Sequence, residues 1–303
     1  MTETAKFGAV NVDVDGLHLY YQIHGLTPKS NDSLPSLWET GVVRFLELFR
    51  QLGIRATFFV VTEDLSVPKN RAIALRALRE GHELASHSHT HPYDLVQKPR
   101  AEIQRELQQS KEALQELGIT SNQIGFRAPG YNTSPQLMEL LAESGFHYDS
   151  SSFPCPPYIL AKAAFLLAYR LQNRPSRSIV ADWRSAFGNP NPHQIRTESG
   201  KTLWEFPITV LPKVRFPVIG TSLITLGKTG FRVIRPLLAQ IPFVNLEFHA
   251  IDMTDHKTDG IDAALKRQPD QRVPLAEKER IFRNCLEFLL DGWENRTLGE
   301  CVP

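Results

Sequence analysis

The stretch HELASHSHTH, residues 82–91, starts as an alternating strand and ends in a run of histidines, and its reading decides the fold. Four imidazoles in ten residues are either a solvated loop tip or a ligand set, and spacing must separate the two. His87 and His91 stand four apart, so one helical turn or a tight loop would turn both rings toward one point and leave His89 facing away. A strand with such a cluster at its carboxyl end fits a parallel α/β protein, in which chemistry gathers at the carboxyl ends of the strands.

The pattern continues on both sides. FGAVNVDV (7–14), ATFFVV (56–61), IGFRAPG (124–130), FHYDSSS (146–152), LWEFPITV (203–210) and VNLEFHAI (244–251) are short apolar or alternating runs with strand character. Between the early runs lie amphipathic segments. Trp38, Val42, Phe45 and Phe49 share one helical face, and residues 97–117 set Ile103, Leu107 and Leu114 against a charged side. A last amphipathic helix over 274–293 precedes a short terminal strand at RTLGECV. The alternation predicts a single α/β domain over 1–303, broken by an insertion at about 155–200 with one apolar helix.

Composition narrows the functional classes. The chain has 303 residues, with 34 Lys plus Arg against 33 Asp plus Glu, so a net charge of +1 gives no reason to expect nucleic acid as a partner. Cys155, Cys285 and Cys301 are odd in number and lack CxxC spacing, which argues against a disulfide framework or a cysteine zinc site. The opening MTETAKFGAVNVDVDG has no basic segment followed by an apolar one, and no apolar run reaches the ~20 residues that span a bilayer. A cytoplasmic protein is expected, with any membrane contact peripheral.

Two histidines are too few for a catalytic zinc, which usually takes three protein ligands and keeps one position open. A carboxylate is therefore needed from elsewhere. VNVDVDG ends the first strand, alternation puts Asp13 and Asp15 on one face, and Gly16 permits a sharp exit. One of the two carboxylates can bind the ion while the other acts as base.

The order of DVDG, GHELASHSHTH, FRAPGY, YDSS and LEFHA resembles the ordered motifs of the NodB-like polysaccharide deacetylases, carbohydrate esterase family 4, across nearly the whole chain. The resemblance implies a deformed (β/α) barrel and metal-dependent N-deacetylation of a carbohydrate. It makes Asp13 the catalytic base, Asp15, His87 and His91 the ligands of a divalent metal, most simply Zn²⁺, and leaves His82 and His89 without a ligand role. It also pairs Arg127 with the base, assigns an oxyanion donor to the backbone N–H near Tyr131, and makes His249 the general acid. The DVDG form of the first motif is that of an intracellular branch with peptidoglycan-deacetylase-like, allantoinase-like and aminoarabinose-deformylase-like members. No Asp-Trp pair follows YDSS, so Asp149 and Asp252 become the candidates for the carboxylate that tethers His249.

The chemistry asks for these residue types on its own account. Zinc lowers the pKa of its bound water to about 7 and polarises an amide oxygen, a carboxylate paired with arginine can take the proton of the attacking water, and an imidazole can protonate the departing amine. The expected substrate is an N-acylated sugar, acetyl or formyl. A cyclic ureide hydrolysed by the same machinery and a binding module without turnover are the alternatives.

Residues 155–243 carry twelve basic and three acidic side chains, together with the apolar runs YILAKAAFLLAYRL and FPVIGTSLITLGKTGFRVIRPLL. A core helix with solvated arginines would account for this. So would a surface that docks on an anionic leaflet and admits a polyprenyl-phosphate-linked sugar.

Overall fold

The computed structural model describes residues 5–27, 34–180 and 182–303. Residues 1–4, part of the opening read for localisation, and residue 181 of the expected insertion lie outside the described residues. Eight strands are described: β1 (Phe7–Val14), β2 (Ala56–Val60), β3 (Glu83–Ser86), β4 (Tyr148–Asp149), β5 (His193–Arg196), β6 (Thr202–Glu205), β7 (Phe243–His249) and β8 (Glu294–Asn295). β3, β2, β1 and β7 lie side by side, all parallel, and β8 pairs with the start of β1. β4 runs parallel to β6, whose other edge takes β5 antiparallel.

Isolated bonds join the two groups. Phe126 bridges both Ser86 and Asp149, and the Thr209 N–H donates to the Asn245 carbonyl at 3.1 Å. Hydrogen bonding thus passes from strand to strand between the two groups, in keeping with the deformed (β/α) barrel that the resemblance implies. IGFRAPG contributes only its Phe126 bridge, because the chain turns away at Pro129 and Gly130. RTLGECV departs from expectation: the strand lies just before it, at β8. Its residues form a turn in which the Thr297 N–H donates to Glu300 Oε2 at 3.0 Å and the Cys301 N–H to the Leu298 carbonyl at 3.0 Å.

Alternation sorts each strand into two faces. Val10, Val12 and Val14 of β1 and Leu246 and Phe248 of β7 join the main apolar core under the helices. Asn11 and Asp13 occupy the alternate positions of β1 and Asn245, Glu247 and His249 those of β7, and apart from the partly exposed His249 all are fully buried.

Helices α1 (Leu17–Ile23), α2 (Val43–Leu52), α3 (Pro68–Arg79), α4 (Arg100–Gln115), α5 (Pro135–Glu143), α6 (Pro156–Leu171), α7 (Gly220–Leu238) and α8 (Leu275–Gly292) alternate with the strands. Trp38, Val42, Phe45 and Phe49 are all buried, the first two in a π-helical turn that leads into α2. Phe45 packs on Phe49, Phe248 and Phe282, and each such ring contributes about 1.5–3 kcal/mol by leaving water. A side chain at Gly41 would lie 1.9 Å from the Ala250 carbonyl, so only glycine lets this turn close against the segment after His249.

The two apolar runs differ. α7 buries Leu223, Ile224, Phe231, Ile234 and Leu238 and belongs to the core. In α6 only Tyr169 is buried, and Leu160, Leu167 and Leu171 are 71%, 58% and 76% exposed. The expected core helix is therefore not what residues 156–171 form.

Candidate active site

The histidine cluster leaves β3 in a tight loop and not in a helical turn. Ser88 and His91 both take left-handed backbone, φ +63° and +56°, an uncommon conformation for residues with side chains. Serines hold the loop: Ser86 Oγ accepts from the Ser88 N–H at 3.1 Å, and Ser88 Oγ from the His91 N–H at 3.0 Å. His87 and His91 turn inward. His89 Nδ1 instead meets Thr62 Oγ1 at 3.0 Å, and His82 Nδ1 accepts the Ala56 N–H at 3.1 Å, so neither has a place in the cluster.

Asp15, just past the end of β1, completes a triangle. His87 Nε2 and His91 Nε2 are 3.2 Å apart, and Asp15 Oδ1 lies 3.3 and 3.4 Å from them. A tetrahedral ion with bonds of about 2.0–2.1 Å has ligand-to-ligand edges of roughly 3.3–3.4 Å. The three atoms match one face of that tetrahedron.

The rest of each ligand fits the same purpose. The Arg127 carbonyl lies 2.8 Å from His87 Nδ1, which fixes the proton there and frees Nε2 as a lone pair. Asp15 Oδ1 is buried without a hydrogen-bond donor. Burial tends to raise the Asp15 pKa, but His91 and His87 outweigh it and hold the carboxyl well below its usual range. Burial brings His91 down to about 4 despite Asp15, so it is a neutral imidazole. At His87 burial is overcome by Asp13 and Asp15, which raise the pKa. The field that favours a proton on His87 equally favours a cation.

Beside the triangle, Arg127 Nη1 donates to Asp13 Oδ1 and Asn11 Oδ1, each at 2.6 Å, with both Arg127 and Asp13 fully buried. Arg127 Nε and Nη2 bind the Ser150 carbonyl and Oγ, which fixes the guanidinium in place. Asp13 Oδ2 has no donor and lies 3.8 Å from His87 Nε2. An anionic oxygen with an unused lone pair beside a ligand cluster is suited to accept a proton from water.

His249 stands across the cleft, and its surroundings correct one expectation. Its Nδ1 is 3.2 Å from Glu247 Oε1, and the Tyr131 hydroxyl donates to that same oxygen at 2.5 Å while lying 3.3 Å from His249 Nε2. Glu247 is thus the carboxylate on the His249 ring. Asp252, one of the two candidates, accepts the His249 backbone N–H at 2.9 Å, and Asp149, the other, accepts from Ser151 Oγ at 2.6 Å. Tyr131 presents its hydroxyl to the site, and its own N–H donates to the Ala128 carbonyl at 3.0 Å. Burial opposes a proton on His249, but Glu247, Asp13 and Asp15 reverse the effect and raise its pKa to about 9.

Glu247 was legible in the sequence. VNVD in β1 and VNLEFH in β7 repeat the same N-x-acid alternation, and a period of two puts residues 247 and 249 on one face. Asp13, Glu247 and His249 could themselves approach a metal. Arg127 already offsets the charge of Asp13 and the Tyr131 hydroxyl occupies the Glu247 oxygen nearest His249, so the Asp15 triangle is the better cation site. Asp13, Asp15, His87, His91, Tyr131 and His249 share a cleft of about 470 Å³, whose wall includes Tyr20 and Tyr93 as well as Tyr158 and Lys162 of α6.

Residues 32–148 match the family model for polysaccharide deacetylase. No curated protein matches the chain. Among solved structures, the fold is similar to that of a candidate polysaccharide deacetylase from Mycobacterium smegmatis, at 18% identity over 100% of this chain and 92% of that one, with a TM-score of 0.60. It is also similar to Puue allantoinase (17% identity, 95% and 86% covered, TM-score 0.56) and to the chitin deacetylase of Colletotrichum lindemuthianum (14%, 99% and 88%, TM-score 0.50). The family match is confined to residues 32–148, and the fold around it is a mostly parallel α/β fold of the NodB type. The matched segment holds His87, His91, Arg127 and Tyr131, whereas Asp13, Asp15 and His249 lie outside it. The branch read from DVDG therefore rests on that motif alone.

Proposed function

We propose that the protein hydrolyses an N-acyl amide, acetyl or formyl, on a sugar, using a divalent cation held by Asp15, His87 and His91. The observation that carries this reading is the triangle of 3.2, 3.3 and 3.4 Å edges beside the Asp13–Arg127 pair. An ion there, zinc in our reading, would lower the pKa of water and polarise the amide oxygen. Asp13 Oδ2 takes the proton of the attacking water, and Arg127 holds Asp13 in position. His249 gives a proton to the departing nitrogen, which takes the place of the Tyr131 contact at Nε2. Glu247 holds the ring and balances its charge.

A lipid-linked form of the sugar and contact with an anionic membrane extend this reading. Leu160, Ala164, Leu167 and Leu171 repeat at i, i+4, i+7 and i+11 along α6 and are all exposed, with Arg170 and Arg177 at the far end exposed as well. Apolar surface bordered by arginine suits an interface with anionic lipid. No helix among the described residues is long and apolar enough to cross a membrane. We place the protein in the cytoplasm, at the inner leaflet.

The reading is tested by measuring acetate and formate released from N-acylated sugars, free and lipid-linked, with allantoin beside them. Acid from a sugar amide and no opening of allantoin is the expected result. Turnover of allantoin alone would make the substrate a cyclic ureide, and metal bound without turnover of any substrate would make the protein a binding module.

A further inference from the structure

Among the described residues that line the cleft, Lys162 is the one lysine or arginine. It comes from α6, the helix the rest of the barrel leaves largely exposed, and reaches back to the turn that carries Tyr131, where Nζ donates to the Gly130 carbonyl at 3.1 Å. Nζ also lies 5.7 Å from the centre of the Tyr158 ring. Among the described residues no carboxylate pairs with it, and burial alone acts on its charge. The ammonium is half-buried, and burial lowers its pKa to about 8, so it still carries its proton at neutral pH. A partly desolvated ammonium with one neutral acceptor keeps two N–H donors to offer, and an oxyanion is the ligand that suits them.

We propose that Lys162 forms an anion subsite of the cleft and binds a phosphoryl group carried by the N-acylated sugar. This rests on the sugar-amide reading above and names its substrate class more closely. The placement agrees with the chemistry on each side. The amide lies at the Asp15–His87–His91 triangle, the phosphoryl group meets Lys162 at the α6 wall, and whatever is esterified to that phosphate leaves along the exposed leucines of α6.

Two N-acetyl amides that differ only in charge test it: N-acetylglucosamine 1-phosphate and methyl N-acetylglucosaminide. The wild type should favour the phosphorylated one, and Lys162→Gln should lower the ratio of their kcat/KM values at least tenfold, mainly through KM. Lys162→Arg should restore most of that ratio. An unchanged ratio in Lys162→Gln overturns the proposal, and so does inorganic phosphate that stimulates turnover of the neutral amide, since the anion would then be a free one. If the wild type hydrolyses neither compound, the sugar-amide reading has failed, and the subsite is read by acetylation of Lys162 with acetic anhydride, followed by mass spectrometry. Protection by N-acetylglucosamine 1-phosphate but not by the neutral sugar supports the subsite, and equal labelling in all conditions overturns it.

Discussion

Glu247 and His249 are two residues apart on one strand, and their side chains meet at 3.2 Å between Oε1 and Nδ1, with the Tyr131 hydroxyl bound to the same oxygen. The acid of the proposed reaction thus carries its counter-charge on its own strand. Glu247→Gln keeps the shape and an acceptor for Tyr131 but removes the charge. We expect kcat to fall about tenfold or more at neutral pH, part of the ~10² to 10⁴ that acid–base catalysis supplies. Steady-state kinetics showing no loss would leave Glu247 a packing residue.

The pH profile should show the same charge. His249 is lifted from its ordinary 6.5 to about 9, against burial, by Glu247, Asp13 and Asp15. Because the protonated form is the proposed acid, kcat should fall as pH rises through the folded pKa. A cation on Asp15 removes that residue's share of the attraction, so the limb in the loaded enzyme should lie below about 9. Glu247→Gln should move it about one unit further toward acid. The raised pKa also contributes stability that is present below about 6.5 and lost as pH rises through about 9, which thermal denaturation across that range will show. A limb that Glu247→Gln leaves in place would assign the titration to another group.

Membrane contact makes a separate prediction. The protein should co-sediment with anionic vesicles at low ionic strength, and salt should weaken the binding. Arg170, Arg174 and Arg177 changed together to glutamate should release it, since each basic group near such a surface adds about 1 kcal/mol. Indifference of the wild type to vesicles would mean that the exposed face of α6 meets something other than a bilayer.

Much of this was legible in the sequence, for physical reasons. The period of two in VNVDVD and the spacing of His87 and His91 report side-chain direction, which is local, and the structure brings Asp15, His87 and His91 together. The apolar faces of α2, α4 and α8 are local in the same sense. The burial of α6 was not legible, because composition alone cannot say whether an apolar helix finds a partner, and this one finds little beyond Tyr169. That Tyr131 turns its hydroxyl into the site follows from a turn in which its N–H closes onto Ala128, a detail of backbone geometry that no spacing reports. Glu247 stands two residues from His249 on the same strand, where a period of two places it, whereas the motif order points to an aspartate such as Asp149 or Asp252.

The central claim is that Asp15, His87 and His91 hold an ion that catalysis requires, and elemental analysis of purified variants tests it most directly. The wild type should carry one divalent ion per chain, and Asp15→Ala or His91→Ala should lose both the ion and activity, because two remaining ligands hold zinc far more weakly. Asp13→Asn should keep the ion and lose ~10² to 10⁴ in rate. Full occupancy in Asp15→Ala and His91→Ala, or loss of the ion in Asp13→Asn alone, would contradict the assignment of ligand and base.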